Sequence, residues 1–219
     1  MSTFLVVFRR LMPLAAAFAL ALPLAAAAQA LQEGTNYQRL KNPQPVETGD
    51  KIEVLEFFSY GCPHCADLDP ELQAWAKTLP SDVVFRRVPV GFGRESWDNL
   101  GKAYYTLEAL GVEAKLAPEV FAAQHRGQVN LASPKVFFEW AAGKGQDRKK
   151  VEEMFNSFAI AGKMNRANQV AKNYQVQSVP LVIVDGTFVT ASDKVGSHAN
   201  LPSALNVLIA KARAERSKR

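Results

Sequence analysis

Cysteine is almost absent: only two occur in 219 residues, and they are Cys62 and Cys65. This excludes a disulfide framework holding the fold together, because a bridge closing so short a loop removes little unfolded-chain entropy. Histidine is nearly as scarce, with three residues. A zinc site on the two cysteines would need two further ligands, yet His125 and His198 stand isolated in sequence and read as ordinary surface residues. A c-type haem site needs histidine directly after the second cysteine, and Ala66 stands there. The formal charge of +5 is modest, and no basic stretch is interleaved with aromatics as a nucleic-acid face would be. The basic tail Lys211–Arg219 reads as a solvated helix end. Internal repeats and low-complexity tracts are missing from residues 31–219 as well. No metal, cofactor or nucleic acid is therefore expected. A cysteine pair with so little stapling value is kept for reactivity, and its chemistry is thiol–disulfide exchange.

Residues 1–30 read as a cleaved export signal. Arg9 and Arg10 supply the positive start, Leu11 to Ala27 form an Ala/Leu-rich apolar run, and Ala28-Gln29-Ala30 is a small-residue cleavage site. The alternative is an uncleaved membrane anchor. Pro13, Pro23, the alanine richness and the cleavage site argue against it. Export places the chain where structural disulfides are permitted, and none is available beyond the one close pair.

Beyond the signal, residues 31–50 are polar and carry Pro43, Pro45 and Gly49, which predicts an arm or loop. Residues 51–58 are nearly continuously apolar, as in a buried central strand. From Pro63 the pattern turns helical, with Leu68, Leu72 and Trp75 recurring on one face until near Pro80. Residues 83–90 form a second strand candidate. Four helical stretches follow without a strand between them: 96–110 and 112–126, each with a glycine stop, 134–142 after Ser133, and one from Asp147 through Ile160. A further helix covers 163–174. Strand character returns at 180–184, Asp185-Gly186 is a hairpin turn, and 187–190 is its partner. An amphipathic helix, 201–216, closes the chain. The order predicts an α/β fold, its sheet interrupted by an all-helical insertion. The expected divisions are 31–94, 95–168 for the insertion, and 169–219.

The chemistry centres on Cys62-Pro63-His64-Cys65. A strand that delivers a cysteine to a helix start places its sulfur among unpaired N–H groups at the positive end of the helix dipole. Thiolate is the reacting species, so this placement activates Cys62. Pro63 fits a first helical turn, where its missing N–H costs nothing. His64 can stabilise the Cys62 sulfur. A stabilised thiolate exists only in the reduced pair, which makes the disulfide easy to pass on and predicts an oxidant. Cys62 is then the exposed nucleophile and Cys65 the resolving thiol. Pro70 interrupts the helical pattern and predicts a kink. Glu56, inside the apolar strand, has two open readings: a charge snorkelling to a sheet edge, or a buried carboxyl exchanging protons near the sulfurs. Val179-Pro180 precedes a strand, an ordinary place for proline.

These residues carry a family likeness. The run Glu56–Cys65 (EFFSYGCPHC), Pro70, the late Val179-Pro180 and the interposed helices together resemble the DsbA family of periplasmic disulfide-introducing oxidoreductases. The resemblance covers essentially all of residues 31–219. It implies a thioredoxin fold with a helical insertion and a cis bond at Val179–Pro180 that lies against the disulfide and binds substrate backbone. It implies that Glu56 is the buried acid and that Arg87 stands where some relatives have lysine. It further implies reduced exported proteins as clients, a quinone-linked membrane reoxidase and a periplasmic location. No dimerisation module is visible, so a monomer is expected. The rival functions are an isomerase or reductase on the same fold, and a peptide-binding or metal-carrying module.

Overall fold

The computed structural model describes residues 31–218, and the export signal expected at 1–30 lies outside the described residues. In chain order the elements are β1 (Gln38–Arg39), β2 (Ile52–Phe58), α1 (Pro63–Ala76), β3 (Val83–Pro89), α2 (Glu95–Ala109) and α3 (Glu113–Phe121). A π-helical turn at Ala122–Arg126 follows, then α4 (Pro134–Gly143), α5 (Arg148–Phe155), α6 (Phe158–Asn173), β4 (Leu181–Val184), β5 (Phe188–Thr190) and α7 (Leu201–Arg216). Among the described residues the strands form one five-stranded sheet in the order β1-β5-β4-β2-β3. β2 runs parallel to β3 and antiparallel to β4. The β4–β5 and β5–β1 pairs are antiparallel.

β2 is the pivot of this arrangement. Its near-unbroken apolar run suits a strand covered on both faces, and all seven of its residues are buried. Strand alternation assigns the faces. Ile52 and Val54 pack with Leu68, Leu72 and Trp75 of α1 and with Leu201, Leu205 and Leu208 of α7. Leu55 and Phe57 pack on the other side with Val88, Ile183 and the α6 residues Ala167 and Ala171. Each fully buried Leu or Phe contributes about 1.5–3 kcal/mol, so cover on both sides fixes the strand's register. Phe58 continues into a separate core shared by Leu100, Leu107, Leu116, Phe121, Phe137 and Phe155 of α2–α5. The loop carrying the cysteines therefore leaves the sheet where two cores meet.

Several expectations need correction. The 31–50 stretch is more than a loop, because β1 pairs with β5 through Gln38↔Val189 and Arg39↔Phe188. A polar two-residue edge strand leaves no alternation to read. The single helix expected from Asp147 to Ile160 is two helices. Asp147 caps α5 by accepting from the Lys150 N–H at 3.0 Å. Ser157 Oγ accepts from the Ile160 N–H at 3.3 Å and opens α6. The separate helix expected at 163–174 is the remainder of α6. At 112–126, α3 passes into the π-helical turn, which Gly127 closes by donating to the Ala122 carbonyl at 2.9 Å. Gly127 stays right-handed at φ −82°, and Gln128 takes the left-handed conformation at φ 52°.

The hairpin turn is as expected. Asp185 and Gly186 have φ of 54° and 59°, the positive pair a type I′ turn requires. Thr187 donates to the Val184 carbonyl at 3.0 Å and belongs to the turn, since pairing resumes at Val184↔Phe188. The basic tail is engaged rather than merely solvated. Arg213 pairs with Asp82 at 2.7 Å. Arg216 bonds both Asp185 oxygens and the carbonyls of Asp50 and Lys51. The end of α7 thereby clamps the hairpin turn to the approach of β2.

Candidate active site

After β2, Ser59-Tyr60-Gly61 turns the chain into α1, with the Cys62 N–H donating to the Ser59 carbonyl at 3.0 Å. Gly61 is needed for space: a Cβ there would stand 3.0 Å from Trp97 Nε1 and 3.1 Å from Leu100 Cδ1. Cys62 is the N-cap of α1, with extended backbone (φ −97°, ψ 117°), and Pro63 takes the first helical turn. The Cys62 sulfur occupies the place usually given to a Ser or Asp oxygen and accepts from the Cys65 N–H at 3.4 Å. Both cysteines are free thiols.

These contacts shift the two sulfurs in opposite directions. Hydrogen bonding from the Cys65 side chain outweighs burial at Cys62, and the backbone N–H groups of Cys65 and His64 and the His64 charge add to it. Together they lower the Cys62 thiol to about 6. Burial pushes the Cys65 thiol far up, helped by its bond to Cys62, by the Cys62 charge and by the Glu56 charge. One thiol is set to ionise near neutrality and its neighbour to keep its proton.

Cys62 is not exposed, contrary to expectation: it is 5% accessible and Cys65 is 0%. Cys62 Sγ donates to the Val179 carbonyl at 3.4 Å, and Val179 and Trp97 pack against the cluster that holds both cysteines. The sequence could not show this cover, which comes from segments far along the chain. Pro63 and His64 are exposed. The Val179–Pro180 peptide is cis. Cys62, Pro63, His64, Cys65 and Val179-Pro180 are thus gathered at one place.

Glu56 does not snorkel. It lies in the central strand with its side chain 1% exposed. Its cross-strand partner is Arg87, whose Nε donates to Glu56 Oε2 at 2.8 Å. Arg87 Nη1 also lies 3.1 Å from Asp69 Oδ1 of α1 and 3.5 Å from Glu113 Oε1 of α3. The Asp69 contact is close enough for ion pairing but is not aligned as a hydrogen bond. The guanidinium sits over the Phe58 ring, 4.1 Å from its centroid. Burial pushes the Glu56 carboxyl up to about 7, against the pull of Arg87 and with the help of Asp69 and Glu113. Burial likewise raises Asp69 and Glu113, while the surrounding carboxylates raise Arg87 against its own burial.

Asp69, Glu113 and the Tyr60 hydroxyl escaped the sequence reading. Asp69 did leave a signal, because it lies four residues after Cys65 on the same helix face. Glu113 left none, since an acid in a first helical turn is ordinary. His125 is also misread as surface: it is half-buried, stacks on Phe121, and its Nε2 lies 2.8 Å from the Tyr60 carbonyl oxygen. His198 is half-buried too, with Nδ1 2.8 Å from Ser192 Oγ. Among the described residues no group of three or more His, Cys, Asp or Glu side chains is arranged to hold a metal ion.

A buried central strand leading to a helix-capping cysteine, with a second, buried thiol one turn on and a cis-proline loop against the first, defines a thiol–disulfide oxidoreductase. Comparison with known proteins agrees. Residues 53–200 match the model of the DSBA-like thioredoxin domain. The thiol:disulfide interchange protein DsbA of Pseudomonas aeruginosa is 39% identical over 195 residues, covering 89% of this chain and 92% of that protein. That of Bordetella parapertussis is 40% identical over 184 residues, covering 84% and 87%. The crystal structure of Pseudomonas aeruginosa DsbA superposes with a TM-score of 0.80 at 39% identity, covering 84% of this chain and 95% of that one. The chain belongs to the DsbA family. It is a protein-disulfide oxidoreductase on an α/β thioredoxin fold interrupted by helices.

Proposed function

We propose that the enzyme works as a dithiol oxidase, donating a Cys62–Cys65 disulfide to reduced exported proteins. The observation that carries this reading is the asymmetry of the pair: the Cys62 sulfur caps α1 and titrates near 6, while Cys65 is fully buried and keeps its proton. A client thiolate attacks Cys62 of the oxidised enzyme, forming a client–Cys62 disulfide and releasing Cys65 as a thiolate that takes up a proton. A second client thiolate then attacks the client sulfur of that mixed disulfide. The client leaves with the new disulfide and the enzyme keeps both electrons as its dithiol. Pro63 and His64 favour the Cys62 thiolate on release. Glu56 exchanges the proton of Cys65, and the Val179-Pro180 segment receives the client backbone.

The chain acts in the periplasm as a monomer after losing residues 1–30, and a quinone-linked membrane protein restores its disulfide. Residues 31–94 and 169–219 form the thioredoxin-like parts and 95–168 the helical insertion. The test is covalent trapping. Treating the reduced Cys65→Ser variant with a cysteine peptide carried as its thionitrobenzoate mixed disulfide should expel thionitrobenzoate and leave a Cys62–peptide disulfide that persists without reductant, and Cys62→Ser should give none. Trapping through Cys65 in the Cys62→Ser variant would refute the assignment of roles.

A further inference from the structure

Three carboxyls, Glu56, Asp69 and Glu113, surround the buried guanidinium of Arg87. If all three were ionised the cluster would carry a net charge of −2 at largely buried positions, a state that burial disfavours. The cluster therefore holds protons, and how they are shared decides when Glu56 can act as a base. Glu113 is the member best placed to govern that sharing. It comes from the first turn of α3, outside the sheet. With 15% of its side chain exposed, it lines a cleft of about 430 Å³ together with Arg87, Tyr104, Glu108 and Lys163. The Tyr60 hydroxyl donates to its Oε1 at 3.2 Å.

We infer that Glu113 is a positioning residue for the exchange reaction: through Arg87 it competes with Glu56 for the guanidinium and so sets how firmly Glu56 holds a proton. The inference rests on the proposed role of Glu56 as the proton partner of Cys65. The charged and titratable groups facing the pair are Arg87 from β3, Asp69 from α1, Tyr60 from the turn after β2, and Tyr104 and Glu108 from α2, with Glu108 itself paired to Lys163 at 2.6 Å. Asp69 and Glu113 share the same Arg87 nitrogen, Nη1, at 3.1 Å and 3.5 Å. Glu113 thereby acts on the thiol chemistry through Arg87.

Reduced enzyme mixed with Ellman's reagent tests this. The Cys62 thiolate first attacks the reagent, forming a mixed disulfide and expelling one thionitrobenzoate. Cys65 then yields its proton to Glu56, attacks Cys62 and expels a second thionitrobenzoate. The enzyme loses two electrons and the reagent gains them. In Glu113→Gln the pH midpoint of the second release should move down by about one unit, the low end of what a neighbouring charge produces. Below the midpoint that release becomes about tenfold faster, an acceleration a merely damaged structure would not give. Tyr60→Phe, which withdraws the hydroxyl from Glu113, should shift the midpoint the same way by less. It serves alone if Glu113→Gln does not fold. Glu119→Gln, an α3 position with its side chain 41% exposed and paired with Lys144, controls for loss of charge as such.

A midpoint unchanged, or moved upward, in the folded variants overturns the inference. Glu56→Gln separates the levels. If it alters the second release while Glu113→Gln and Tyr60→Phe do not, only the inference falls. If Glu56→Gln leaves the profile unchanged, the role of Glu56 falls and the inference with it.

Discussion

Replacing Arg87 with methionine probes the buried cluster most sharply. Its side chain is 5% exposed and fills the space between the Phe58 ring, 4.1 Å from the guanidinium, and the three carboxyls. Methionine keeps much of the packing but leaves Glu56, Asp69 and Glu113 without a counter-ion. Removing one partner of a buried pair costs about 3–5 kcal/mol, and Arg87 serves three. For a domain of this length each kcal/mol moves Tm by about 2–4 °C, so a loss of about 10 °C at neutral pH is expected. The sign with pH follows from the carboxyls. Their folded titrations are already raised for Glu56, Asp69 and Glu113 and rise further without Arg87. A raised carboxyl penalises the folded state above its unfolded value and ceases to do so once protonated. The deficit in Tm should therefore be large at pH 8 and shrink steadily toward pH 4. Arg87→Lys keeps the charge but not the fork that serves several oxygens, and should fall between. Thermal melts of the reduced proteins across this range make the measurement. A deficit that stays constant, or grows toward acid, would refute the electrostatic account of the cluster.

Two other outcomes are expected. Alkylation of reduced enzyme by iodoacetamide should rise through a midpoint near 6 and then level, because the Cys62 thiolate forms there, whereas an ordinary thiol would still be rising near ~8.5. The folded value lies below the unfolded one, so the thiolate's contribution to the reduced protein's stability is complete above the ordinary thiol range and fades as pH falls through about 6. Arg216→Ala releases the clamp on Asp185 and on the carbonyls of Asp50 and Lys51. It should cost about 1–2 kcal/mol in urea unfolding with the rate of the Ellman reaction unchanged; an altered rate would mean the clamp reaches the thiols.

The sequence declared the parts whose causes are local. Continuous apolarity marked β2, Asp185-Gly186 marked the hairpin, and Cys62-Pro63 marked the start of α1, because each is written in neighbouring residues. What it concealed depends on distant partners. Cys62 meets the Val179 carbonyl, and Trp97 packs against the cluster that holds it, which no spacing around residue 62 could reveal. Arg87 was visible only as a substitution for lysine, yet its neighbours Asp69 and Glu113 arrive from two different helices. The break at Ser157 was legible in principle, since serine before an apolar run is a cap signal; the helical periodicity on both sides masked it.

The central claim is that a stabilised Cys62 thiolate makes this pair an oxidant. Equilibrating residues 31–219 with defined glutathione mixtures, and quenching in acid to count thiols, tests it most directly. The account predicts a Cys62–Cys65 pair that is still reduced in oxidising mixtures, because the thiolate stabilises the dithiol. A pair that stays disulfide-bonded until the buffer is strongly reducing would contradict it and point to a reductase or a structural bridge.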